Sequence, residues 1–328
     1  MIEIIKSAKG LPAEWDEAIG GNAALKKENL ILLEEINPCQ QEYILFRDKK
    51  IYAVLVKYVL KIDIFCYSKL RLYLPITIIG IPCSVAEPGY HFVGDMSTGV
   101  VEYISELKGA KLILNASGDL DMPGFTKGYT LPDCKLNIRW RSFEEYLQGL
   151  RSHYRYRYKK ALEKAAALSV EMLAGEFDSK LYHLYEQVYD KSAYKLEKLP
   201  IDFFRQAEAD IAVFKQEGEP IAFVQYQIHD KKLNFLFGGL DYSMNQRYDL
   251  YQNMLLYLVR VAIEKDCTIL DLGQTAEEMK CRLGAVQEEK YLYIHYNNRV
   301  INWFIKKFSR IFSYRIPELN LKVFKENQ

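Results

Sequence analysis

Hydrophobic and polar positions change period several times along these 328 residues, and the changes give the element order. Glu42 to Arg47 and Ile51 to Leu60 alternate or run apolar in β-branched and aromatic residues around a polar Asp48-Lys49-Lys50 turn, which predicts a hairpin. A second strand pair follows to Ile81, after which Pro82, Pro88, Gly89 and Gly94 mark an irregular connection. Val101, Ile104 and Leu107 predict a short helix ended by Gly109, and Lys111 to Ser117 a strand.

The pattern changes again near Trp140. Ser142 with Glu145 three residues later is a capping box, and Phe143, Leu147, Leu150, Tyr154, Tyr158, Ala161 and Ala165 fall on one stripe at 100° per residue. One helix of about 25 residues is predicted there, a bridge between two domains, 1–141 and 142–328. Beyond it the chain gives two helices, three strands joined by tight turns over 211–241, and a polar loop at Tyr242 to Tyr248. A helix from Asp249, a strand Thr268 to Gly273, a short helix at 276–284, a strand at 289–296 and a basic helix from Asn298 complete the order.

Composition adjusts this picture in three places. Lys and Arg number 44 against 43 Asp and Glu, so the near-zero net charge argues against indiscriminate coating of nucleic acid. The charge is nonetheless uneven. Arg139 to Lys164 holds eight bases and three acids, and Arg299 to Arg315 five bases and no acid. Six cysteines lack metal-ligand or disulfide spacing, which predicts buried free thiols and no metal site. No secretory signal is visible, and the longest apolar stretch, Leu72 to Ala86, is interrupted by Pro75 and Pro82 and too short to span a bilayer; a cytoplasmic protein is expected. The 25 tyrosines point to half-wet pockets or interfaces.

LDLGQTAEEMKCRLGA (270–285) and SFEEYLQGLRSHYRYRYKKALEKA (142–165) resemble the signature segments of the FemAB-like, acetyltransferase-6 branch of GNAT acyltransferases, and the order of elements agrees with that fold. The resemblance implies a mixed α/β fold with largely antiparallel sheets, arranged as two tandem GNAT-like domains. It implies an N-acyltransferase in which an amine attacks the thioester of acyl-CoA, such as acetyl-CoA, or the ester of an aminoacyl-tRNA. The acceptor would be a small metabolite or a cell-envelope, peptidoglycan-related precursor. Phe237, Gly238 and Gly239 would then offer backbone to the donor, with the glycines allowing close approach. Tyr226 and Tyr251 would be the proton-handling groups, since none of the five histidines has a carboxylate at a telling spacing.

Donor phosphates would sit at the helix start by Asp249, with Arg247 pairing them. This loop departs from the family pattern: MNQRYDLYQNM has no glycine and carries an acid, which argues against a CoA pyrophosphate cradle and is compatible with another donor. Gln274, Thr275, Lys280 and Arg282 follow the strand end where an open α/β sheet places ligands, and are expected to hold a substrate carboxylate or phosphate. Arg155 on the first basic helix would contact tRNA or a phosphorylated lipid-linked precursor. The second basic helix is expected to pack Ile301, Phe304, Ile305, Phe308 and Phe312 on the second sheet, with contact to tRNA or to the membrane surface as the alternative. A non-catalytic GNAT-fold module binding a peptidoglycan or lipid-linked ligand is the remaining reading.

Overall fold

A computed structural model describes residues 1–37, 39–68, 70–83, 86–94, 97–195 and 197–325. The fold is mixed α/β with two largely antiparallel sheets, as the resemblance implies. The first holds β1 (Ile2–Ile5), β2 (Glu42–Arg47), β3 (Ile51–Asp63), β4 (Tyr73–Ile79), β5 (Tyr90–Phe92), β6 (Ala110–Ser117) and β7 (Thr126–Tyr129). Helix α1 (Lys27–Ile36) precedes β2, and α2 (Thr98–Glu106) packs Val100, Val101 and Ile104 on one face against Ile44, Leu55 and Ile113. Tyr58, Ile78 and Leu112 form a core on the other face.

The second sheet runs β14-β8-β13-β12-β11-β10-β9. Its strands are β8 (Asp133–Asn137), β9 (Ser169–Met172), β10 (Asp210–Gln216), β11 (Glu219–His229), β12 (Lys232–Leu240), β13 (Ile269–Asp271) and β14 (Val286–Glu288). Helices α3 (Phe143–Gly149), α4 (Ser152–Lys164), α5 (Ser179–Lys191), α7 (Tyr242–Tyr248), α8 (Leu250–Glu264) and α9 (Glu277–Cys281) belong with it. α8 is apolar nearly all round and is buried at ten positions, which is why it forms the centre of this unit's core.

The units are interleaved along the chain. One comprises 1–131, 194–207 and 289–316; the other comprises 132–193, 208–288 and 317–328. A single cut at Ser142 therefore does not describe them. β8 lies before that point and pairs with β13 and β14, whereas β15 (Lys290–Tyr296), after it, inserts between β6 and β7 of the first sheet. The segment with α6 (Ile201–Gln206) also belongs to the first unit.

The N-cap forms and the reciprocal bond shifts by one residue: Ser142 Oγ accepts from Glu145 N at 3.1 Å, and the Glu145 carboxylate accepts from Arg141 N at 2.8 Å. The predicted 25-residue helix is broken, however. Leu150 is extended and bridges Phe324, while Arg151 N donates to the Val323 carbonyl and Lys325 N to the Gly149 carbonyl. The C-terminal segment takes over the backbone bonds that an unbroken helix would make. The predicted polar loop 242–248 is the helix α7, capped by Asp241, whose carboxylate accepts from Ser243 N. No helix among the described residues is long and apolar enough to cross a membrane. All six cysteines are free thiols, five of them buried.

Candidate active site

The central strand β12 pairs with β11 along its whole length but with β13 only at Lys232–Ile269, Leu233–Leu270 and Asn234–Asp271. Beyond Asn234 the two parallel strands part. Phe235, Leu236, Phe237 and Gly238 are consequently half-buried in the middle of a seven-stranded sheet. Leu236 is an extra residue between the Gln225–Phe237 and Tyr226–Phe235 pairs, a β-bulge that turns β12 as it leaves β13. A wedge thus opens at the carboxyl end of two parallel strands, where open sheets bind their ligands.

The opposite wall is the loop after β13, with Gly273, Thr275 and Ala276 at φ 66°, 66° and 51°. Left-handed backbone at two consecutive non-glycine residues costs about 1–2 kcal/mol each, so the surroundings must hold it. Asp271 Oδ1 accepts from Gly273 N at 2.9 Å, and its Oδ2 pairs with Lys232 at 3.0 Å. Cys134 N donates to the Gly273 carbonyl at 3.1 Å. Lys280 Nζ donates to the carbonyls of Gly273, at 3.2 Å, and of Gln274.

Lys280 is only 2% exposed. Burial pushes its ammonium below the usual lysine range, against the pull of Cys134, Glu277, Asp133 and Asp271. The expectation that Lys280 grips a substrate anion is corrected: its donors point into the loop backbone. Arg282 pairs with Glu278 one turn back, and its carbonyl accepts from the Tyr158 hydroxyl, while the Leu283 carbonyl accepts from Tyr146 at 3.0 Å. Gly284, at φ 95°, lies where a Cβ would meet the Phe324 ring at 2.2 Å. The Lys-x-Arg-x-Gly segment therefore anchors the site loop. Gln274 is half-buried, and Thr275 is exposed at the mouth.

The two glycines of β12 also change meaning. A Cβ on Gly239 would meet Tyr185 N at 2.6 Å and the Phe223 ring at 2.4 Å; one on Gly238 would meet Met254 Cε at 2.8 Å. They seat α5 and α8 against the strand, rather than leaving room for a donor. Phe237 meets the Tyr185 ring edge-on at 6.5 Å, on the α5 side.

Of the two candidate tyrosines, Tyr226 pairs across strands with Phe235 but turns its hydroxyl away, and Tyr251 stands beside the loop wall. It stands in the first turn of α8, and its phenol is raised well above the ordinary range by burial, then by Cys134, Tyr242 and Glu277, groups of β8, α7 and α9. Tyr226 is buried in the core, with its hydroxyl directed to Met172 Sδ on β9 at 3.9 Å and to Tyr257. That lies on the far side of β11 and β10 from the wedge, so Tyr226 is corrected to a core residue.

The start of α8 is closed. Tyr251 N is capped by Asn245 Oδ1 at 3.0 Å, and buried Asn253 donates to the carbonyls of Ala161, Tyr248 and Asp249. Asp249, itself left-handed at φ 46°, pairs with Lys164 at 3.0 Å, and Arg247 is exposed over the Tyr248 ring. These residues do not fit a CoA pyrophosphate. An acid and a packed helix occupy the place where the cradle would be. On α4, Lys160 and Lys164 are paired with Glu163 and Asp249, Arg155 reaches the Gln148 carbonyl at 3.4 Å, and Lys159 is exposed. Asn253, Asp271, Tyr146 and Tyr158 are not assigned to the site by the sequence, although Asn253 lies in MNQRYDLYQNM, Asp271 in the 270–285 segment and both tyrosines in the 142–165 segment.

Residues 149–281 match the family model described as an acetyltransferase (GNAT) domain. No curated protein sequence matches the chain. Among solved structures it is similar to FemX, at 13% identity and TM-score 0.55 over 93% of this chain and 100% of that one. It is also similar to the C-terminal domain (DUF2156) of a putative lysylphosphatidylglycerol synthetase from Agrobacterium fabrum, at 10% identity and TM-score 0.53 over 86% and 90%. L-PGS from Bacillus licheniformis gives 14% identity and TM-score 0.50 over 92% and 96%. The GNAT domain match thus spans the wedge and its helices, and the chain shares its fold with FemX, in keeping with the resemblance to FemAB-like GNAT acyltransferases.

Proposed function

We propose that the chain transfers an aminoacyl group from the ribose ester of a charged tRNA to an amine of a cell-envelope precursor. The observation that carries the choice of donor is the closed start of α8, where Asn245, Asn253 and the Asp249–Lys164 pair stand in place of a pyrophosphate cradle. The basic row of Arg155 and Lys159 on one side of α4, with Arg157 on the other, suits a polyanionic donor. The synthetase similarity bears in its name a product that joins lysyl to phosphatidylglycerol.

In this reading the aminoacyl group lies in the wedge, along the β12 edge from Phe235 to Gly238. In this proposal backbone N–H groups along that edge serve the developing oxyanion, and Phe235 and Phe237 exclude water. The acceptor amine, delivered neutral, forms the C–N bond; the C–O bond to the ribose breaks. Tyr251, kept protonated, donates its proton to the leaving oxygen, and the proton lost by the attacking nitrogen restores the phenol. Positioning carries the rest of the rate, since direct aminolysis of an ester needs no covalent intermediate on the protein.

Calorimetry of the full chain with charged tRNA, and separately with acetyl-CoA, tests the donor. Salt-steep binding of tRNA without heat from acetyl-CoA is expected. Heat from acetyl-CoA with none from tRNA overturns the reading, and tight tRNA or envelope-precursor binding without any transfer of labelled amino acid would favour the binding-module alternative.

A further inference from the structure

The amphipathic helix α10 (Arg299–Lys307) of the first unit is turned the wrong way round for a core helix. Its polar side docks: Asn302 Nδ2 donates to the Gly124 carbonyl at 2.9 Å, and Asn302 Oδ1 accepts from Tyr296 N at 3.1 Å. Its apolar side faces out. Val300 is 63% exposed, Trp303 53%, Phe304 49% and Phe308 46%, and no residue of the helix is buried. The expected packing of this face on the second sheet is therefore corrected, and nothing in the unit's own core accounts for it.

We infer that this face is a docking surface for an anionic lipid bilayer. Three observations select that occupant. First, Arg299, Lys306, Lys307, Arg310 and Arg315 flank the aromatic residues with no Asp or Glu from 299 to 316, so the patch combines membrane-interface rings with a basic rim. Lys307 lies over the Trp303 ring at 4.7 Å, which places a cation at the level of an indole. Second, a hollow of about 250 Å³ beside the helix is lined by Arg299, Lys306, Trp303 and Phe125, two cations and two rings suited to a phosphate headgroup. Third, the surface continues past the helix. Phe312 stacks on Phe65 at 5.6 Å, and Phe65 lies in the β3–β4 connection, where Leu70 and Leu72 are exposed, as are Tyr73 and Leu74 at the start of β4.

The same charges disfavour the other occupants. A second copy meeting the patch face to face would bring ten like charges together, twice the five counted here. Nucleic acid would answer the charges but leave Val300, Ile301 and Phe304 in water. The surface serves whatever reaction the second unit performs and does not depend on the donor proposed above.

Vesicles provide the test, with the full chain mixed separately with phosphatidylcholine vesicles and with vesicles that also contain phosphatidylglycerol. Sedimentation with the anionic vesicles is expected to exceed that with the neutral ones at least tenfold, as a rough guide from about 1 kcal/mol per basic side chain near the surface. Trp303 reports directly, because Trp15 and Trp140 are buried; its emission shifts to the blue on binding. Phe304→Glu with Phe308→Glu abolishes both signals, and Lys307→Gln or Arg310→Gln each weakens binding about fivefold. Val286→Glu, on an exposed position of the other unit, leaves them unchanged. Near-UV circular dichroism verifies that each variant is folded. Absence of binding to anionic vesicles, equal binding by the folded Phe304/Phe308 variant, or a concentration-dependent dimer that this variant dissolves without any vesicle binding overturns the inference.

Discussion

Lys280 Nζ bonds the carbonyl oxygens of Gly273 and Gln274, so a single buried cation holds the backbone immediately before the two left-handed residues Thr275 and Ala276. Asp133, Asp271 and Glu277 supply the compensating charge around it. Removing one member of a buried ionic cluster leaves the others uncompensated, at a cost of about 3–5 kcal/mol. Lys280→Met is expected to lower stability by that amount in urea unfolding. Activity should fall with it, because the loop wall of the wedge loses its fixed conformation. Unchanged unfolding midpoints would mean that the acids, not the lysine, set the loop.

Tyr251 and Tyr226 separate cleanly by experiment. If Tyr251 protonates the leaving oxygen, Tyr251→Phe lowers kcat by roughly 10²–10⁴ with little change in KM. Tyr226→Phe removes a hydroxyl directed at Met172 and Tyr257 and should leave kcat within about twofold, a surface-distant core change of the kind that costs under about 1.5 kcal/mol of stability. Because burial and neighbouring negative groups raise the Tyr251 phenol, the acid form persists through alkaline pH. The basic limb of kcat should therefore show no decline near pH 10, where an ordinary tyrosine ionises; a decline there removes Tyr251 from the role.

Much of this site was legible in the sequence, and what was not has identifiable physical causes. Periodicity located the β10–β12 meander, α8 and β13, because each buries one face or all faces in a single core. Periodicity carries no information about which sheet a strand joins. Asp133–Asn137 and Lys290–Tyr296 were therefore assigned to the wrong sides of Ser142. The break at Leu150 lies in a stripe that is still apolar; it comes from Val323, Phe324 and Lys325, almost 175 residues away, and no local signal announces it. Lys280 and Arg282 read as ligand-binding because their motif is charged, yet one is sunk into backbone carbonyls and the other is paired to its own helix. α10 shows the converse error. Its amphipathic pattern is that of a core-packing helix, and only Asn302, a polar residue bonded into the first unit, reverses its orientation.

The Gly238-Gly239 pair distinguishes strand packing from donor access. A methyl group on Gly239 meets the α5 backbone at Tyr185 N, which cannot yield without moving the helix, so Gly239→Ala should cost about 1–3 kcal/mol. On Gly238 the nearest atom is the end of a flexible Met254, and the cost should be smaller. Thermal unfolding of the two variants is expected to rank them in that order. Equal melting temperatures accompanied by lost activity in both would restore donor approach as the reason for the glycines.

Lys111 gives the first unit a pH dependence of its own. The side chain is fully buried on β6, with Nζ donating to the Ser105 carbonyl at 2.9 Å and lying 3.1 Å from His295 Nδ1, and burial lowers its pKa to about 8 from an ordinary 10.5. Between those values the unfolded chain holds a proton that the folded chain has released, so unfolding takes up a proton and stability rises with pH. The contribution is greatest above the unfolded value and is lost as pH falls through about 8. Lys111→Met removes this slope. In urea titrations from about pH 8 to 10.5, the window those two values define, the wild type should gain on the variant as pH increases; parallel curves would show that the lysine keeps its charge in the folded protein. A second readout lies on the neighbouring ring. Burial and then the Lys111 charge hold the His295 imidazole below its ordinary value, so in the variant its proton NMR titration should move upward, toward but not beyond 6.5.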